Sequence, residues 1–201
     1  MRKEYTWEIK ADSTPLLKRS CSHCDSDRFY CSEKFRMNAQ KKNIDVWLIY
    51  RCLKCDNIYN MSIISRTRPE SINKELFHKF QENNRALAWE YAFSVEIWKK
   101  NQVEPDLAAV TYNILYEELS MADLNLINAD SIFFKMIYPF GFQLKLATVI
   151  RTCLKLSSKQ LDRLIILQAI TVQGKFLKKK HRVKHAAIVE ISSETLKHIF
   201  Q

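Results

Sequence analysis

The stretch VWLIYRC, beginning at Val46, places Val46, Leu48 and Tyr50 on one face of an extended chain and Trp47 and Ile49 on the other. A strand that is apolar on both faces needs cover on both sides. Upstream, RFYCSEKFRM alternates more loosely and NAQKKNID is a polar turn, so the two runs predict a hairpin; NIYNMSIISR supplies a third strand. Beyond Pro69 the period lengthens. Phe77, Phe80, Leu87, Tyr91, Val95 and Trp98 recur at near-helical spacing up to Lys100. They predict one broken helix or two short ones, started by PES with Ser71 as the N-cap. NQVEPD breaks the pattern at Pro105, and AAVTYNILY and SIFFKMIY read as strands joined by the acidic connection EELSMADLNLINAD. Leu146, Val149, Ile150, Cys153 and Leu154 then fall at i, i+3, i+4, i+7 and i+8, one apolar helix face with Arg151 and Lys155 opposite. Ser157 and Ser158 stop this helix and cap a second, which buries Leu161, Leu164 and Ile165 and turns Lys159 and Arg163 outward. Strand AITV enters a turn at Gly174, a basic strand or loop follows, and AAIVEI returns as the pairing strand, burying Ile188 or Val189 together with Ile191.

A chain of 201 residues accommodates one large domain or two to three small ones, and 47% hydrophobic with 27% charged residues is a globular composition. No apolar run reaches the roughly 18 residues of a membrane span, and the opening MRKEYTWEIK is too polar for a signal peptide. A cytoplasmic protein is expected. Two glycines exclude a glycine-rich phosphate loop. The net charge of +10 is segregated: residues 1–68 hold 14 Lys/Arg against 8 Asp/Glu, residues 69–142 hold 6 against 11, and residues 143–201 hold 12 against 3. A basic, acidic, basic order points to a polyanionic partner, nucleic acid first. An anionic membrane surface is the weaker reading, because no basic amphipathic helix carries bulky apolar anchors.

Five of six cysteines lie between residues 21 and 55. CSHC supplies Cys21 and Cys24, and CLKC supplies Cys52 and Cys55. Each pair sets two thiols on one tight turn, and the spacing between the pairs suits an out-and-back hairpin. Two such knuckles offer the four soft ligands that Zn²⁺ takes in a tetrahedron. A redox role is disfavoured, since neither pair sits in a βαβ pattern. Cys31 reads as a buried thiol and His23 as an exposed side chain; either can replace a cysteine in a less usual ligand set. Arg36, Asn38, Lys41 and Lys42 lie near the hairpin tip, where they can meet phosphate or simply be solvated. Glu117, Glu118, Asp123 and Asp130 have no partner base, nucleophile or ligand spacing, so solvated surface is the reading there. No catalytic constellation stands out, and the chain is expected not to be an enzyme.

FRMNAQKKNIDVWLIYRCLKC, following CSHC and preceding IYN, resembles the bacterial family known as domain of unknown function 1062. That resemblance implies a bacterial source and a shared architecture, and brings no activity with it. The two helices, strand, QG turn and basic hairpin of residues 146–191 resemble the RNA-binding module named after small-subunit ribosomal protein four. Ser157, Leu164, Ile165, Ile170, Val172 and Gly174 match its framework. Ser158, Gln168, Gln173 and the pair Ala186-Ala187 depart from its arginine, first glycine, asparagine and Gly-Asp. This second resemblance implies phosphate contacts to RNA from Arg151, Lys155, Lys159, Arg163, Lys175, Lys178, Lys179, Lys180, Arg182 and Lys184.

The expected architecture is α+β: a zinc ribbon over 1–68, a helical and β middle over 69–142, and a two-helix plus β-hairpin RNA-binding-like module over 143–201. The expected function is non-catalytic, zinc-containing binding of structured RNA, ribosomal or transfer RNA, in possible association with the ribosome and without a membrane. The rivals are a DNA-binding regulator, for which no polar recognition helix stands out, a protein-assembly factor docking through the zinc ribbon, and an RNA-acting enzyme whose catalytic part is not visible.

Overall fold

The computed structural model describes residues 3–119, 123, 127 and 129–200, with Phe200 described by its backbone alone. Most of the acidic connection EELSMADLNLINAD lies outside the described residues. The described residues form a mixed α+β structure of two sheets and six α-helices. The chain divides into two compact units, residues 13–111 and residues 1–12 with 112–201. The expected boundaries at 68 and 142 do not coincide with this division. Pairing across the chain decides membership, and the two ends of the sequence pair with each other.

In the unit of residues 13–111, β2 (Leu16–Lys18), β3 (Arg28–Gln40), β4 (Asn43–Cys52), β5 (Ile58–Thr67) and β6 (Glu104–Asp106) form an antiparallel sheet in the order β5-β4-β3-β2-β6. The expected hairpin and third strand are β3, β4 and β5. β6 was read as a pattern break because Pro105 sits in it; Pro105 is tolerated since β6 is an edge strand. Between β5 and β6 lie a 3-10 turn (Pro69–Ser71) and three helices, α1 (Lys74–Gln81), α2 (Arg85–Ala92) and α3 (Val95–Asn101). Ser71 caps nothing here. Asn73 is the N-cap of α1, its side chain accepting from the N–H groups of Glu75 and Leu76. Asn84 and Ser94 cap α2 and α3 in the same way, which is why the aromatic stripe divides into three helices rather than one or two.

These helices bury Phe80, Leu87, Ala88, Ala92 and Trp98 in one core with Val46, Leu48 and Tyr50 of β4. Phe35 meets Phe80 edge-on with ring centroids 4.9 Å apart, and Phe80 stacks on Tyr91 at 5.9 Å. On the other face of β4, Trp47 and Ile49 are half-buried. Register places Arg36 beside Trp47 and Lys34 beside Ile49. Long side chains at such positions can lay their stems along apolar surface, which lessens the need for the second layer expected there.

In the other unit, β1 (Lys3–Ala11), β7 (Tyr112–Tyr116), β8 (Ser131–Ile137), β9 (Ile170–Val172), β10 (Lys175–Phe176) and β11 (Ile188–Ser192) form a sheet in the order β10-β9-β11-β8-β1-β7. β1 and β8 are parallel and the remaining pairs antiparallel. Lys3–Ala11 is therefore an interior strand of the C-terminal sheet and not part of the cysteine-bearing module. Its alternation buries Tyr5, Trp7 and Ile9, and Trp7 stacks on Phe134 with centroids 4.2 Å apart. α4 (Leu146–Cys153), α5 (Ser158–Ile166) and α6 (Ser193–Phe200) complete the unit. α4 buries the expected face, Leu146, Val149, Ile150 and Cys153. Ser157 caps α5 in a reciprocal capping box with Gln160.

Candidate metal centre and basic surface

The first knuckle joins β2 to β3 and the second joins β4 to β5, so antiparallel pairing brings them together. Phe29 stands opposite Cys52 in the β3–β4 ladder, and Leu53 N–H donates to the carbonyl of Arg28 at 3.1 Å. Each knuckle is closed by its own backbone bond, Cys21 N–H to Ser26 O at 2.8 Å and Cys52 N–H to Asn57 O at 2.9 Å. The four Sγ atoms of Cys21, Cys24, Cys52 and Cys55 lie within 4.8 Å of one another and could hold a metal ion. Cys21 and Cys55 approach to 3.6 Å, Cys24 and Cys52 to 3.5 Å. Backbone N–H groups of His23 and Lys54 point at Cys21 Sγ and Cys52 Sγ, at 3.4 and 3.5 Å, and Asn57 Nδ2 reaches Cys21 Sγ at 3.7 Å.

Burial opposes ionisation of Cys52, yet the N–H groups of Cys55 and Lys54, with Ser26 and Cys24, bring its thiol down to about 6. At Cys24 the N–H of Ser26 favours the thiolate, but burial and the thiols of Cys55, Cys52 and Cys21 push it up to about 12. Opposite shifts on neighbouring thiols express one fact: sulfurs this close cannot all carry negative charge without a cation among them. His23 offers the cluster only its backbone, and its side chain is exposed. Cys31 is buried outside the cluster, and burial pushes its thiol up to about 11. Neither replaces a cysteine in this group.

The polar tip of β3–β4 carries Arg36, Asn38, Lys41 and Lys42, all exposed, with Lys41 at a φ of 53° in the turn. Glu117, Glu118, Asp123 and Asp130 form no metal-binding group among the described residues. Glu118 instead pairs with Lys155 at 2.8 Å.

All ten expected phosphate-contacting residues are exposed, but they do not share one surface. Arg151 and Lys179 line a cleft of about 280 Å³ with Lys145, Ser158 and Asp162, and Lys179 pairs with Asp162 at 2.7 Å. α5 presents Ser158, Leu161, Asp162 and Ile165 to this cleft. At about 100° per residue, Lys159 and Arg163 lie on the flank of α5 instead. Lys175, Arg182 and Lys184 line a second groove, of about 290 Å³, with Gln173 and His181. Lys178 and Lys180 line neither. Lys145 and His181 went unmarked at the level of sequence. His181 was signalled by its place in KKKHRVK, whereas Lys145 joins only through tertiary pairing of residues 144–146 with 181–183.

No curated protein and no solved structure matches the chain. One family model matches residues 37–176, which is 140 of 201 positions. The matched stretch takes in Cys52, Cys55, both grooved helices and Gly174, and begins after Cys21 and Cys24. Spanning more than two thirds of the sequence and both compact units, this match shows that the chain belongs to the family described as "Protein of unknown function (DUF1062)".

Proposed function

We propose that the protein is a non-catalytic binder of structured RNA whose cysteine centre holds a structural Zn²⁺ in a zinc-ribbon setting. The observation carrying the RNA reading is the charge of residues 143–184, where eleven Lys/Arg stand against the single carboxylate of Asp162. This stretch alone carries +10, equal to the net charge of the whole chain. Its side chains surround two helices and a hairpin whose order resembles the ribosomal-protein-four module. Backbone phosphates are the polyanion that such a surface suits, and A-form RNA is recognised mostly through shape, phosphates and 2′-hydroxyls. Ribosomal and transfer RNA are the classes with that structure. Zinc is favoured by chemistry: four thiolates at 2.3 Å from Zn²⁺ stand about 3.8 Å apart in a regular tetrahedron, and the close pairs here are at 3.5 and 3.6 Å.

The test compares a structured RNA with duplex DNA of equal length at matched salt. RNA is expected to bind more tightly, with affinity falling steeply as salt rises. Equal affinities reduce the surface to a generic polyanion binder, and preference for one DNA sequence supports a regulator. One observation favours a second reading, assembly through a protein partner: Leu53 and Ile58, beside the second knuckle, are 54% and 46% exposed. Failure to bind either nucleic acid moves that reading ahead.

A further inference from the structure

The groove lined by Lys175, His181, Arg182 and Lys184 differs from the rest of the basic surface in three respects. It contains no carboxylate, whereas the cleft between α4 and α5 contains Asp162. Lys175, Arg182 and Lys184 form no ion pair among the described residues, unlike Lys155 and Lys179, which are occupied by Glu118 and Asp162. And the groove is held open by backbone, not by mobile side chains alone.

One wall is the β9–β10 turn. Gln173 and Gly174 have φ of 50° and 75°, the two positive values of a type I′ hairpin loop. Gln173 N–H donates to Ile188 O at 3.1 Å and fixes the turn to β11. The opposite wall is the segment from Leu177 to Lys184. Leu177 and Val183, 3% and 6% exposed, anchor it at both ends. Val183 N–H donates to Leu144 O at 3.0 Å, Leu146 N–H donates to His181 O at 2.9 Å, and Ala187 N–H donates to Lys184 O at 3.2 Å. His181 Nδ1 accepts from the N–H of Lys178 at 3.3 Å, so the neutral ring carries its proton on Nε2 and is a donor there too. Every charged or ring group of the lining thus offers hydrogen bonds from nitrogen, and no acidic group competes.

The geometry points to a phosphate-binding subsite in this groove, taking one phosphate group of an RNA, with Arg182 giving the forked contact and Lys175, Lys184 and His181 the surrounding donors. This assignment rests on the RNA reading for its biological ligand and on the groove alone for its chemistry. The phosphate is either a diester within the chain or a monoester at its end, and the two are separable by experiment.

Full-length, metal-loaded protein is titrated with inorganic phosphate, against sodium chloride at equal ionic strength, while backbone amide resonances are followed. Shifts are expected at Gln173–Lys175 and His181–Lys184, and are expected to vanish in Arg182→Ala/Lys184→Ala. Both positions are exposed, so this variant is expected to keep the wild-type spectrum elsewhere. Against a hairpin RNA it should bind at least about tenfold more weakly, with a log–log salt slope lower by about 1.4–1.8 for two lost contacts. The same RNA with and without a 5′-phosphate identifies the source: dependence on it marks a terminal monoester, indifference an internal diester. Groove shifts that are absent in the wild type, or that persist unchanged in the variant, overturn the assignment, as does wild-type RNA affinity in the variant; in the latter case the RNA reading survives. Phosphate shifts in the groove without binding of any RNA leave the subsite standing and remove the RNA reading instead.

Discussion

Each thiol of the cysteine centre depends on the other three, because removing one ligand leaves an open position and uncompensated sulfurs. Cys52 is the most consequential, being fully buried at the end of β4 and hydrogen-bonded through its sulfur to Lys54 N–H. Cys52→Ser is expected to lose the metal and the fold of residues 13–111, whereas Cys31→Ser and Cys153→Ser keep both; elemental analysis of protein purified without added metal reads the first and circular dichroism the second. Wild-type protein should carry one Zn²⁺ per chain, and less than half an equivalent contradicts the zinc reading. Thiol labelling at pH 7 is a second check. Only thiolates react, and burial raises Cys31 to about 11 and Cys153 to about 12. With the metal bound, Cys31 and Cys153 should therefore resist labelling, whereas chelation, which loosens residues 13–111, should leave Cys153 protected until global unfolding. The four ligands were legible in the sequence because a knuckle is local, two thiols on one turn. Gly174 was legible for the same reason. Its φ of 75° is the obstacle to substitution and space is not, since an added Cβ meets nothing within 4 Å. Gly174→Val is expected to cost about 1–3 kcal/mol, while Gly174→Asn, which tolerates the left-handed region, should cost much less; urea melts of both variants separate strain from crowding.

At the scale of elements, the strand patterns of β4, β8 and β11 and the stripe of α4 were readable because burial imposes a period on the sequence, whereas β1 went unread although it alternates. What escaped reading was set by single polar residues or by distant pairing. Asn73, Asn84 and Ser94 divide the aromatic stripe into three helices, yet each looks like an ordinary surface position until its side chain is seen to accept from the next turn. β6 exists only because Leu17 pairs with Pro105. The free edge of β5 shows the same economy. Asn101, the last residue of α3, accepts from Ser62 N–H at 2.7 Å and donates to Ser62 O at 2.9 Å, so one side-chain amide stands in for a neighbouring strand. Lys100 Nζ adds a bond to Ile63 O at 2.9 Å. Such pairing blocks the edge against another strand. Asn101→Ala leaves a half-buried backbone pair without partners and is expected to destabilise by about 1–3 kcal/mol. Because the opened edge can pair with another chain, the variant should also self-associate at concentrations where the wild type does not. Chemical denaturation and light scattering check the two effects; a wild-type midpoint would show that water replaces the amide at no cost.

At the scale of the whole molecule, the basic, acidic, basic order along the sequence does not survive folding. Residues 13–111 hold 16 Lys/Arg against 12 Asp/Glu, and residues 1–12 with 112–201 hold 16 against 10, so both compact units are basic. The acidic middle was a property of chain order: its helices pack with β4, and its two later strands pair with β1. No local period announces that Lys3–Ala11 will lie between β8 and β7, since a strand carries no mark of which strand it will meet. The consequence is that residues 13–111 are an insertion between two neighbouring antiparallel strands, and Ala11 stands directly opposite Tyr112. The insertion is therefore removable without cutting the sheet of the host unit. Replacing Ser13–Thr111 by one glycine leaves Asp12-Gly as a two-residue loop between Ala11 and Tyr112, the sequence that a type I′ hairpin prefers. The shortened chain keeps Trp7 stacked on Phe134, the six-stranded sheet and all of residues 143–184. It is expected to unfold cooperatively on heating, to bind no zinc, and to retain salt-dependent affinity for structured RNA within a few-fold of the full chain. Differential scanning calorimetry, elemental analysis and RNA titration at several salt concentrations measure these in turn. A chain that folds but loses RNA affinity would move the grip to the cysteine-bearing unit, where Arg36, Lys41 and Lys42 at the hairpin tip become the next residues to neutralise.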